Sequence, residues 1–161
     1  MIRLLVADDH EIVRCGLREI FEKQPTFEIV AEAADGEEAV RKAIAVLPDV
    51  AVIDYSMPLL NGAEATRRIR SRLPNTEVLI FTMHEDEAIV AKVLRAGARG
   101  CLLKSDASEN LIAAVESLAS HTPFFAPKVS SMLLREIAAS NDGKAGGRTI
   151  QGSRPTSTRA Q

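Results

Sequence analysis

The chain has 161 residues, enough for one well-buried domain and too few for two of ordinary size. Its 46% hydrophobic and 26% charged residues, with a net charge of −2, fit a soluble globular protein and exclude the cationic excess of a polyanion-binding body. Only two cysteines are present, Cys15 and Cys101, in no Cys-x-x-Cys spacing, which excludes a disulfide framework or zinc site and leaves both as small packing residues.

The first predicted element is a strand, Ile2 to Ala7. Its apolar run stops at Asp8 and Asp9, short of a membrane span or signal-peptide core, so a cytoplasmic protein with no membrane partner is expected. Helical spacing follows at Ile12, Val13, Leu17, Ile20 and Phe21, and then a second strand at Ile29 to Ala31. Asp35 and Glu38 have the spacing of a capping box, and they precede a helix marked by Ala39, Val40, Ala43, Ile44 and Leu47 that Pro48 closes.

A third strand, Val50 to Ile53, leads to a third helix whose Arg67, Arg68, Arg70 and Arg72 read as a solvated basic face before Pro74. The fourth strand is Val78 to Phe81, and Ile89, Val90, Val93 and Leu94 mark the fourth helix as mostly core. Cys101 to Leu103 make the fifth strand, and Asp106 with Glu109 give a second capping-box spacing before Leu111, Ile112, Val115 and Leu118. A sixth helix is expected after Pro127, through Val129, Met132, Leu133 and Ile137. From about residue 141 the chain is rich in Gly, Ser, Thr and Arg, with Ile150 its only large apolar residue, and cannot build a core.

Strict alternation of strand and helix predicts an α/β fold with a parallel sheet covered on both faces. In such sheets the ligand crevice lies at the carboxyl ends of the strands, which selects Asp8, Asp9, Asp54, Thr82 and Lys104. Three carboxylates brought together repel one another unless a proton or cation intervenes, and oxygen donors favour Mg²⁺. Asp54 is then placed to attack phosphorus and form an aspartyl phosphate, with Lys104 and the Thr82 hydroxyl holding phosphoryl oxygens. Singly, each residue has an ordinary role: Asp8 or Asp9 a helix cap, Thr82 with Glu85 a capping box, Asp54 an Asx-turn, Lys104 a solvated cation. Their joint occurrence at successive strand ends favours the chemical reading.

Ala7-Asp8-Asp9-His10, the run from Val52 through Asp54, Ser56 and Pro58 to Gly62, Phe81-Thr82-Met83-His84, and Gly97 to Lys104 resemble receiver domains of the NarL/FixJ branch of two-component response regulators. The resemblance covers about residues 1 to 138. It implies a flavodoxin-like, doubly wound five-stranded sheet of order 2-1-3-4-5, with a receiver domain at 1–121, a linker helix at 122–140 and a disordered basic tail at 141–161. It further implies a sensor histidine kinase as phosphoryl donor. Mg²⁺ would be bound by Asp9, Asp54 and the backbone carbonyl of Ser56, with Asp8 acting through water; Thr82 and Lys104 would read the phosphoryl group. Ser56 and His84 are expected to tune the lifetime of that group. The output and dimerisation surface would be the face made by the fourth helix, fifth strand and fifth helix. Such a chain is no enzyme in the ordinary sense, although it assists its own phosphorylation and dephosphorylation.

Two departures from the family pattern stand out. Cys101 lies where members place Tyr or Phe, which predicts weaker coupling to the output face or a tolerated packing change. No Leu-Thr-x-Arg-Glu pattern or helix-turn-helix follows Glu136, and the tail's Lys144, Arg148, Arg154 and Arg159 offer at most weak phosphate contact, so sequence-specific DNA binding is not expected. The output alternatives are a stand-alone regulator that works by protein contact and a truncated transcription regulator that sequesters the kinase or pairs with a full-length relative; the partners expected are a second copy or a full-length regulator. An Asp-nucleophile phosphatase would need a second Asp where Ser56 stands, and a flavin module would place its phosphate against Asp8 and Asp9.

Overall fold

The chain is described by a computed structural model over residues 1–83, 86–125, 129–135 and 137–139, with the backbone alone for 107–109. Its elements are β1 (Ile2–Ala7), α1 (Glu11–Glu22), β2 (Phe27–Ala33), α2 (Gly36–Val46), β3 (Val50–Asp54), α3 (Gly62–Arg72), β4 (Glu77–Thr82), α4 (Glu87–Arg95), β5 (Gly100–Leu103), a 3-10 turn (Lys104–Asp106), α5 (Ala107–Ala119) and β6 (Phe124–Phe125). Residues 129–135 are also helical. No described helix is long and apolar enough to cross a membrane.

The strands form one parallel sheet in the order β2-β1-β3-β4-β5-β6, so the expected order holds for the first five and a sixth strand is added. That strand pairs Phe124 with Gly100 and Phe125 with Cys101. Two residues are too few to show a period of two, which is why the sequence pattern does not reveal them.

Every residue of β3, β4 and β5 is buried, in keeping with their continuous apolar runs. Successive side chains point to opposite faces of the sheet. Leu5, Ile53, Ile80, Cys101 and Leu103 therefore pack with α2, α3, α4 and Val129 and Met132, while Leu4, Val52, Leu79 and Leu102 pack with α1 and α5.

Local capping follows the sequence at α2 and fails at α5. Asp35 accepts from the Glu38 amide at 2.8 Å and Glu38 accepts from the Ala34 amide at 2.7 Å, closing the expected reciprocal box one residue early. Asp106 makes no side-chain cap bond, because it lies in the 3-10 turn with φ −103° and ψ 0° rather than in extended backbone. The helix after Thr82 is capped by Asp86, which accepts from the Ala88 amide at 2.8 Å.

The arginines of α3 divide between two roles. Arg67 and Arg68 pair with Glu64 on the surface, whereas Arg70 turns under the sheet and donates to the carbonyls of Pro74 and Thr76 at 2.8 and 2.7 Å. Cys101 is buried as expected, but Cys15 is exposed and accepts a weak hydrogen bond from Arg18. The expected tail at 141–161, together with His84, Glu85 and Pro127, lies outside the described residues.

Candidate functional site

Parallel register brings the strand ends together. Ala7 pairs with Ile53, so Asp8 and Asp54 leave neighbouring strands side by side; Asp54 pairs with Phe81, and Thr82 with Leu103, which puts Thr82 and Lys104 at the same edge. Asp8 and Thr82 are fully buried and Asp54 is 4% exposed. Asp9 is exposed.

Lys104 Nζ lies 3.0 Å from Asp8 Oδ2 and 3.5 Å from Asp54 Oδ1, and 5.5 Å from the centre of the Phe81 ring. Asp8 also accepts from the His10 amide at 2.8 Å, and its own carbonyl accepts from Arg14 Nη1 at 2.6 Å. Neither Asp8 nor Asp9 caps α1, whose N-cap is His10 without a side-chain cap bond. His10 Nδ1 instead lies 3.2 Å from Asp8 Oδ1 and 3.1 Å from Asp9 Oδ1.

The loop after Asp54 is held by two close backbone approaches. Gly62 N donates to Tyr55 O at 2.6 Å, and a Cβ at Gly62 would meet Tyr55 Cα at 2.7 Å and Asp54 O at 2.8 Å. A Cβ at Gly36 would meet Leu60 O at 2.1 Å. The first glycine therefore sets the position of the Asp54 backbone. Gly62→Ala is expected to destabilise the fold by roughly 1–3 kcal/mol, because backbone rather than a flexible side chain must yield. Urea titration measures that loss; an unchanged midpoint would show that the loop moves freely.

Burial raises the pKa of the Asp54 carboxyl above its ordinary value, and the negative charge of Asp8 adds to the rise, as does Asp9 more weakly; attraction and hydrogen bonding by Lys104 oppose it. One donor atom from each of Asp8, Asp9, His10 and Asp54 falls within 4.8 Å of the others. A crowded set of carboxylate oxygens with one lysine is under-neutralised, and a hard divalent cation such as Mg²⁺ suits that donor set. Sequence reasoning placed the carboxylates here but passed over His10, whose signal was its position beside Asp9 in the same short run.

Cys101 is buried in β5 three residues before Lys104, and burial alone pushes its thiol up to about 12. A neutral thiol packed among apolar side chains behaves as a small hydrophobe there.

A family profile described as "Response regulator receiver domain" matches residues 4–116. The chain is 41% identical over 135 residues to the transcriptional regulatory protein DegU of Brevibacillus brevis, covering 84% of this chain and 57% of that protein. It is 39% identical over 137 residues to the oxygen regulatory protein NreC of Staphylococcus carnosus, covering 84% and 63%. The crystal structure of a LuxR-family two-component response regulator from Aurantimonas sp. SI85-9A1 superposes with a TM-score of 0.79 at 38% identity, covering 86% of this chain and 99% of that one. The chain thus spans 57% and 63% of the lengths of those two regulators.

Proposed function

Because the chain belongs to the response regulator receiver domain family, we propose that it is the phosphoacceptor of a two-component relay, modified on Asp54 by a sensor histidine kinase. The observation that carries this reading is the near-buried Asp54 carboxylate at the end of β3, with Lys104 Nζ 3.5 Å from it and 3.0 Å from Asp8.

In the proposed reaction an Asp54 oxygen attacks phosphorus in line with the donor. A new O–P bond forms as the P–N bond of a phosphohistidine breaks, and the electron pair returns to that ring nitrogen, so that neutral imidazole leaves with the proton its other nitrogen already carried. Lys104 is the cation that counters charge on the transferring oxygens, and the Thr82 hydroxyl donates to one of them. Reversal of the signal is attack of water on phosphorus, releasing inorganic phosphate and restoring the carboxylate.

Asp9, Asp54 and the backbone carbonyl of Ser56 would hold Mg²⁺, with Asp8 acting through water. Bound there, the ion supplies charge neutralisation for the phosphoryl oxygens. We assign the output to protein contact at the α4–β5–α5 face, with pairing there to a second copy or to a longer regulator. Ser56 in place of a second Asp argues against a phosphatase.

Incubation with acetyl phosphate, with and without Mg²⁺, tests the reading by intact mass. One added phosphoryl group that depends on Mg²⁺ supports it, and no gain in a folded sample removes it. Mg²⁺ alone should also stabilise the fold by about 2.7 kcal/mol at a hundred times its dissociation constant. Thermal unfolding measures that gain, which Asp9→Asn should reduce.

A further inference from the structure

Beside its carboxylates the crevice carries a nitrogen donor for which the Mg²⁺ reading has no use. His10 Nδ1 lies 3.2 Å from Asp8 Oδ1 and 3.1 Å from Asp9 Oδ1, and one donor atom from each of Asp8, Asp9, His10 and Asp54 falls within 4.8 Å of the others. The backbone sets this placement. His10 is the N-cap of α1 in extended conformation; its amide donates to Asp8 Oδ1 at 2.8 Å and its carbonyl accepts from the Arg14 amide at 3.1 Å. The turn between β1 and α1 thus delivers the ring to the carboxylates, although its side chain is 68% exposed.

Donors on adjacent corners of an octahedron stand about 3.0 Å apart when the bonds to the central cation are about 2.1 Å. The 3.1 and 3.2 Å separations match that edge. A hydrogen bond from Nδ1–H fits the same distances, but one proton cannot serve Asp8 and Asp9 equally, and Asp8 Oδ1 already accepts from the His10 amide. A cation is attracted to every donor at once, and three carboxylates beside Lys104 remain short of positive charge.

The type of donor bears on which cation. Mg²⁺ prefers oxygen and gives up its water reluctantly, so an imidazole adds little to its binding. First-row transition ions accept imidazole nitrogen readily, and among them Mn²⁺ also suits carboxylate, carbonyl and water ligands in octahedral arrangement.

We propose that His10 Nδ1 is an additional ligand at this crevice for a first-row transition cation such as Mn²⁺, and that it biases the site towards such an ion over Mg²⁺. Loading of the crevice then follows the supply of that ion. The proposal rests on the reading of Asp9 and Asp54 as metal ligands and not on the identity of the phosphoryl donor.

The test is metal binding to the chelator-stripped full chain, with no phosphodonor present. Mn²⁺ affinity is measured by calorimetry and Mg²⁺ affinity by competition, for the parent and for His10→Asn. Asparagine keeps a good N-cap and an amide that can donate to Asp9, so it separates ligation from hydrogen bonding. His10→Asn should weaken Mn²⁺ by roughly tenfold or more, since loss of even an outer partner of a metal ligand costs that much, and should change Mg²⁺ affinity by less than about twofold. Pulsed electron paramagnetic resonance of the Mn²⁺-loaded parent should show coupling to a bound imidazole nitrogen, lost in His10→Asn.

Equal losses for the two ions would overturn the proposal and leave His10 as a residue that only orients Asp9. Nitrogen coupling that persists in His10→Asn, or is absent from the parent, would overturn it as well. Failure of a folded parent to bind either ion would instead remove the metal reading of the crevice, and the role of His10 with it. Loss of phosphoryl uptake alone would leave the metal-binding result standing.

Discussion

Asp54→Asn is expected to abolish phosphoryl uptake from acetyl phosphate and, without Mg²⁺, to leave the protein more stable than the parent. The first effect follows from chemistry: an amide oxygen is a far weaker nucleophile than a carboxylate, so incorporation should fall by at least about 100-fold. The second follows from burial. Asp54 is 4% exposed and beside Asp8, and its carboxyl is held above its ordinary pKa by desolvation first and by the Asp8 charge next.

The sign with pH is then determined. A carboxyl whose folded pKa exceeds its unfolded value binds protons more readily in the native state, so stability is highest below the unfolded value and falls as pH rises through the folded one. Asn at this position removes that fall. Unfolding in chelator across the acidic range measures both chains; a parent and variant with parallel pH profiles would show that Asp54 carries no electrostatic strain. Retained phosphorylation of the variant on the same peptide would move the acceptor role to another residue.

Glu77→Ala is expected to cost about 3 kcal/mol of stability, the low end for breaking a buried ion pair because its partners keep some access to water. Glu77 opens β4 at the edge opposite the phosphoacceptor crevice, with its side chain 2% exposed. His121 Nδ1 lies 2.7 Å from its Oε2, Arg99 Nη1 lies 3.5 Å from the same atom, and Arg70 Nη1 lies 3.5 Å from Oε1. The one carboxylate thereby ties α3, β4, the turn before β5 and the turn after α5.

Among the described residues Oε1 of Glu77 accepts no hydrogen bond, and Arg70 faces it by charge. Removing the carboxylate leaves an emptied space among Arg70, Arg99 and His121. Glu77→Met, which fills that space, should recover part of the loss, as hydrophobic replacement of buried ions often does. Denaturant titration of the three chains decides the matter: equal midpoints would show that the cluster contributes nothing, and equal losses for Ala and Met would place the whole effect in charge.

The comparison of these two carboxylates shows where sequence reading succeeds. Asp54 ends an apolar run and stands in register with other chemistry-bearing strand ends, so its place at the crevice follows from the alternation of strands and helices. Glu77 also adjoins an apolar run, but at the amino end, where nothing in the local pattern separates a buried carboxylate from a solvated one. Its partners stand 7, 22 and 44 residues away in sequence.

The same distinction accounts for the corrections. Asp35 caps α2 because a cap depends on residues three apart, whereas Asp106 has the same spacing yet lies in a turn imposed by the end of β5. His10 joins the acidic cluster because the turn after β1 brings its ring back over Asp8 and Asp9. Arg70 leaves the solvated face because the carbonyls of Pro74 and Thr76 turn back beneath it.

By itself the sequence determined the alternating parallel architecture, the first five strands and the residues at their carboxyl ends, since periodicity and adjacency along the chain carry that information. The tertiary structure alone decided the sixth strand, the buried Glu77 cluster and the seating of residues 129–135 beside α4 and β5. Each of these depends on groups far apart in the chain, such as Lys104 with Asp8 at 96 residues and Arg135 with Glu87 at 48, and the energy of such contacts exists only once burial has brought them together.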